Sequence, residues 1–468
     1  PKPSSAASDV YKRQPLNVTW DEVVELDKWG YEPGIACDSK GTLYMTAHKD
    51  LDRKNTWDYL ASWFFISKDG GKSWESPSEP FPRGEKWKTY AGDEGDIAID
   101  GRDYVYFVDT YLTDNHIHVW ANQGVYQYSV RIQKTTGLDD RPWIAAQGRG
   151  IVHYLGNNGM EVKGGRYWYY RSTNGARTFS RGTPIKGNGW AHIDAERRGN
   201  HVYIISESDT GGPADILVYY SDDRGETWNW DKPVRVAHRD GPGREYPVIS
   251  VSPEGVVWCL WNDATNGVEN GTRIFVGRST DHGRTWDTWE VTPFKGFIDY
   301  PTINAGPNGS VAVAFYATKE LPVSDSSEWY LYGAMALNAG GGNLTLNFSI
   351  ADPHPVYVGS NLHALHDFFE IVISPDMHLN IAYQYYIGPA NGDSKLFFVR
   401  GRVNKPEDER RGTSPAPPSI YTSEAVRAIT SAEVRLPHSS ITPLFLLTAS
   451  SRTTSRRVSE TPTTAGRR

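Results

Sequence analysis

A short pattern recurs seven times along the chain: a proline, glycine or other residue, one further residue, then isoleucine, followed by a turn and an apolar strand. The copies are Pro33-Gly34-Ile35, Gly95-Asp96-Ile97, Pro142-Trp143-Ile144, Ala191-His192-Ile193, Pro247-Val248-Ile249, Pro301-Thr302-Ile303 and Phe369-Glu370-Ile371. Neighbouring isoleucines lie from 47 residues (Ile97 to Ile144) to 68 residues (Ile303 to Ile371) apart. That length suits one sheet of four short antiparallel strands, the size of a propeller blade. No amphipathic helix separates the strands, so a parallel α/β fold is excluded. The 17 Trp, 27 Tyr, 15 Phe, 45 Gly and 29 Pro agree with many short strands and tight turns. The expectation is an all-β propeller of seven blades, with six as the alternative.

A second repeat falls between these starts. Its copies span Ser67 to Trp74, Ser172 to Phe179, Ser221 to Trp228 and Ser279 to Trp286. The carboxylates or amide of Asp69, Asn174, Asp223 and Asp281 suit a turn in which a short polar side chain bonds nearby backbone N–H groups. Glycine supplies the left-handed φ, and Trp74, Trp228 and Trp286 pack beneath the turn. The octad resembles the Asp-box, S-x-D-x-G-x-T-W, of sialidases and their relatives. The third and fourth copies match it fully, the first has Ser73 for Thr, and the second is degenerate. The resemblance implies a sialidase-like propeller with these turns on the outer rim of its blades, in a structural role.

Strand patterning runs from residue 15 to about 405 and then stops. The segment from Asn17 to Glu25 is expected to supply the outer strand that closes the last blade. Residues 1–14 read as a non-native leader, and 406–468, rich in Ser, Thr, Pro and Arg, as a disordered or frame-shifted tail. A net charge of −7 argues against a nucleic-acid partner. No apolar run reaches membrane-spanning length. Cys37 and Cys259 sit in apolar strands and read as buried free thiols. A monomeric, secreted or periplasmic glycan-active protein is the expectation.

The residues that open each inner strand should ring the mouth of the central channel. They are strongly polar: Tyr31 and Glu32; Asp93, Glu94 and Asp96; Asp139, Asp140 and Arg141; His192 and Asp194; Arg244, Glu245 and Tyr246; Asp299 and Tyr300; His366, Asp367 and Glu370. So many carboxylates about one axis should raise one another's pKa or attract a cation such as calcium. The sialidase resemblance implies a retaining hydrolase with a Tyr nucleophile activated by Glu, an Asp acid/base, and arginines gripping a carboxylate. Carried onto this chain, Tyr300 and Glu245 take the first two roles, Asp96 or Asp140 the third, and Arg141 and Arg244 hold an acidic sugar. Tyr246, His192, Asp367, Glu370 and Trp143 complete the expected binding surface, with Trp143 equally readable as core. Tyr31-Glu32-Pro33 stands where sialidases carry an Arg-Ile-Pro motif, so one arginine of the set is absent. Two alternatives therefore stand: a non-catalytic glycan- or protein-binding propeller, and a polysaccharide lyase using His192, Tyr246 and Arg244. No metal site is assigned from the spacing of His116 with His118 or of His363 with His366.

Overall fold

A computed structural model describes residues 17–403, apart from 50–56, 59–61, 78–86, 89–94, 112–113, 133–140, 158–165, 188, 210–211, 244–245, 266, 341–343 and 389–393. Asp93, Glu94, Asp139, Asp140, Arg244 and Glu245 lie outside the described residues, as do the expected leader and tail.

The described chain is built almost wholly of antiparallel β-strands joined as meanders. Four sheets have four strands each, with inner strands Ile97–Ile99, Trp143–Gln147, Ala191–Ala195 and Val248–Val251. A fifth sheet starts at Phe297–Ala305 and carries five strands. The remaining blade strands form one seven-stranded sheet. Among the described residues, five sheets of four or five strands stand as separate blades, rather than the seven, or six, expected from the repeats, while the first and last repeats share the seven-stranded sheet. The physical reason is Val24–Cys37, a single strand of 14 residues. Its first part pairs with Ser394–Val403 and its second with Leu43–Lys49, so the first and last repeats are hydrogen-bonded into one sheet. Val18–Trp20 adds to the same last strand, with Val18 opposite Val403. The N-terminal segment thus closes the ring as expected, removing a free edge.

The four octads each link the third strand of a sheet to its outermost partner and share one hydrogen-bond pattern. In the last, Ser279 Oγ donates to Asp281 Oδ1 and accepts the Gly283 N–H, both at 2.8 Å. The Thr285 N–H donates to Asp281 Oδ1 at 2.8 Å, and its hydroxyl to Oδ2 at 2.6 Å. Trp286 Nε1 donates to the Gly283 carbonyl at 3.1 Å. Burial, the largest single influence, raises the Asp281 pKa, but these bonds together outweigh it and lower the value to about 2, which holds the carboxylate ionised. In the degenerate copy the Asn174 amide donates to Thr178 Oγ1 at 2.8 Å, reversing that bond. A Cβ on Gly225 would fall 2.0 Å from Tyr169 Oη of the preceding sheet, so glycine there also permits close inter-sheet packing.

Candidate functional site

Segments of all seven repeats line one central cavity of about 430 Å³. The seven anchoring isoleucines are buried around it, none more than 7% exposed. Inner strands of neighbouring sheets do not pair by ladder bonds, which leaves N–H groups facing the axis that need other acceptors. Polar side chains of the preceding repeat supply them. Asp96 Oδ2 accepts the Ile144 N–H at 2.7 Å, Asp194 Oδ2 accepts Val251 N–H at 2.8 Å, and Ser250 Oγ accepts Ala305 N–H at 3.0 Å. Asn304 Oδ1 accepts Ile373 N–H at 2.9 Å, and Glu370 Oε2 accepts Ile35 N–H at 3.0 Å.

Burial raises the pKa of Asp96 to about 7 and of Asp194 to about 6, opposed in part by the N–H groups they accept. Glu370 is raised well above the usual carboxylate range, first by burial and then by Asp96. A calcium ion on the axis would have to displace protons and these bonds. His192 is half-buried and neutral, its pKa pushed down to about 3 by desolvation, with its ring 4.8 Å from Trp143. Asp96, His192, Glu370 and Trp143 are therefore ring-fastening and core groups. Trp143 is 3% exposed and packs on Tyr246 and Phe368.

A second cavity, about 380 Å³, is lined by Arg141, Trp190, Tyr246, Tyr300, Asn361, Leu362, His363 and Asp367. It adjoins the axial cavity, since Tyr246, Tyr300 and Asp367 line both. Here the structure brings together Arg141, Tyr246, Tyr300 and Asp367 of the expected set. The Arg141 guanidinium pairs with the Asp367 carboxylate and lies 5.4 Å from the Trp190 ring and 5.6 Å from Tyr246. Asp367 Oδ1 also faces His363 Nδ1 at 3.2 Å. The Asp367 N–H donates to Glu32 Oε1 at 3.0 Å, and Glu32 Oε2 lies 3.3 Å from His48 Nε2. Tyr31 is sandwiched between His48 and His366, with ring centroids 4.4 and 3.8 Å away. Tyr300 Oη donates to the Leu362 carbonyl at 3.0 Å. The buried Tyr246 hydroxyl has no partner among the described residues.

Backbone strain concentrates at the same place. Glu32, Arg141, Tyr300 and His366 hold φ of 51°, 60°, 49° and 61°. The first three each precede a proline, where the backbone is already restricted. Glu32 and Tyr300 sit in matching bulges, where pairing slips between Tyr31 and Gly34 and between Asp299 and Thr302. A bulge re-aims a side chain, and strained non-glycine residues gather where function over-determines them.

The sequence does not single out Trp190, Asn361 or Leu362, and offers His363 only for its spacing from His366. Asn361, Leu362 and His363 belong to the long connection between Tyr357–Val358 and Ile371–Ile373, whose length was the available signal.

No protein-family model and no curated protein matches the sequence. Solved structures do. A polysaccharide lyase, an ulvan lyase bound to -[GlcA(1-4)Rha3S]-, aligns at 11% identity over 84% of this chain and 100% of its own, with a TM-score of 0.50. The intramolecular trans-sialidase of Ruminococcus gnavus aligns at 12% identity over 86% and 99%, TM-score 0.41. An α-L-arabinofuranosidase of Fusarium graminearum aligns at 12% over 82% and 98%, TM-score 0.41. With its meander sheets joined around one axis, the chain is a β-propeller that shares its fold with the ulvan lyase.

Proposed function

We propose that the chain is a carbohydrate-active enzyme that binds an acidic glycan in the Arg141 pocket and cleaves it by β-elimination beside a uronate. The observation that carries this reading is Asp367 holding Arg141 and His363 together at a pocket that also contains the Tyr246 hydroxyl, which has no partner among the described residues. Arg141 neutralises the sugar carboxylate, which acidifies the hydrogen on the adjoining ring carbon. Asp367 orients His363 through Nδ1, so Nε2 takes that proton. The electron pair forms the ring double bond, the bond to the glycosidic oxygen breaks, and Tyr246 protonates the departing oxygen. Trp190 offers an aromatic face for a sugar ring. The neighbour of TM-score 0.50 is a lyase, which agrees with this choice of reaction.

Hydrolysis by Tyr300 with Glu245 is the second reading, favoured by the strained φ of 49° at Tyr300 inside the same pocket. Incubation with uronate-containing polysaccharides separates the two. Elimination yields an unsaturated, ultraviolet-absorbing end, and Tyr246→Phe and His363→Ala each abolish it. New reducing ends without that absorbance mean hydrolysis, and binding without products means a lectin-like propeller.

A further inference from the structure

We infer that Glu196, His201 and His282 form a binding site for a divalent transition-metal ion of the zinc class, fastening two adjacent sheets. Glu196 and His201 flank the turn between Ala191–Ala195 and Val202–Glu207. His282 belongs to the octad that follows Arg273–Ser279 in the next sheet. One donor atom from each residue lies within 4.8 Å of the other two. Among the described residues this is the one group of three such side chains so arranged.

The local geometry is that of a convergent donor set. The two imidazoles stack at 3.9 Å with 13° between their planes, both facing one carboxylate. His201 Nδ1 lies 2.9 Å from Glu196 Oε2, and His282 Nδ1 lies 3.6 Å from Glu196 Oε1. That His282 nitrogen is shielded from solvent and has no hydrogen-bond partner among the described residues, an arrangement that costs free energy unless something ligates it. His282 holds φ 59°, the left-handed turn conformation that Gly70, Gly175 and Arg224 hold at the same place in the other octads. Asp222 lies 3.4 Å from His201 Nε2, across the ring from Glu196, and also pairs with Arg284, so it orients the imidazole from outside the donor set.

Two imidazoles and a carboxylate match zinc and its first-row neighbours, whereas calcium and magnesium take oxygen ligands. Zinc bonds of about 2.0–2.1 Å need the donors to draw in modestly from their present spacing. The partly exposed His201 and His282 side chains, 20% and 44% accessible, leave an entry path and a position for water. The role is structural, because neither cavity reaches these residues.

The test uses the tag-free full chain, stripped with EDTA and dialysed against zinc chloride, with bound zinc counted by elemental analysis. One equivalent of zinc is expected, together with a higher melting temperature. His282→Asn, which tolerates the left-handed backbone, and His201→Gln should each weaken zinc binding by at least about 100-fold. Metal-free melting of the variants reports folding separately. Failure of the wild-type chain to retain zinc overturns the site, as does undiminished binding in both variants.

Discussion

Glu370 accepts the backbone N–H of Ile35 at 3.0 Å although 335 residues separate them, which fastens the last inner strand to the first. Glu370→Leu should leave that buried N–H unsatisfied and lower stability by about 1–3 kcal/mol in urea unfolding. Glu370→Gln keeps an acceptor and should lose far less. Equal losses in the two variants would show that side-chain volume, not the bond, matters.

Stability should fall as pH rises from about 4 towards about 7 through the axial acids. Asp96 and Asp194 titrate at about 7 and 6 in the folded chain, above the ordinary carboxylate value. The folded state therefore holds more protons than the unfolded one in that window, and its advantage is lost as the pH passes the folded values. Asp96→Asn should flatten the dependence of melting temperature on pH between 5 and 8, whatever its effect on the absolute value. An unchanged slope would show that Asp96 is ionised throughout.

Arg141→Ala should lower kcat/KM on a uronate polysaccharide by about 100-fold or more, the usual loss for a group that stabilises developing charge. Arg141→Lys should recover little, because an ammonium lacks the planar two-pronged fit to a carboxylate. Steady-state kinetics on soluble substrate decides it, with circular dichroism confirming the fold.

The octads predict a graded series. Asp281→Ala removes the acceptor for Ser279, Thr285 N–H and the Thr285 hydroxyl, and should cost about 1–3 kcal/mol. Asn174→Asp restores the fuller motif and should be neutral or slightly stabilising. Thermal melts of the two variants test whether the carboxylate, rather than the turn shape, supplies the stability.

Glu207 and Arg239 form a fully buried pair, with Arg239 also donating to the Gly241 carbonyl at 2.7 Å. Burial raises the Glu207 pKa to about 7 even though Arg239 opposes it. Arg239→Met should cost about 3–5 kcal/mol by stranding a buried carboxylate. Adding Glu207→Leu should recover much of that loss, which a double-mutant cycle measures.

How far the sequence could be read follows from which interactions are local. The anchoring isoleucines, the octads and the N-terminal closing strand were legible because periodicity and turn chemistry act over a few residues. The single strand Val24–Cys37 that merges the first and last repeats was not, since one of its two pairings reaches a segment about 370 residues away. The site divides the same way. Residue types at the start of each inner strand drew attention to Arg141, Tyr246, Tyr300 and Asp367, which line one cavity. They could not show that Asp96, Glu370 and His192 instead serve backbone N–H groups across the axis, or that His363 swings in from a connection. The chain's own pattern determined that strands would stack as meander sheets about a common centre. Only the closed ring decided which polar groups were consumed in fastening neighbouring sheets and which stayed available at the mouth, because an unpaired inner-strand N–H takes whichever acceptor the adjacent sheet brings within reach.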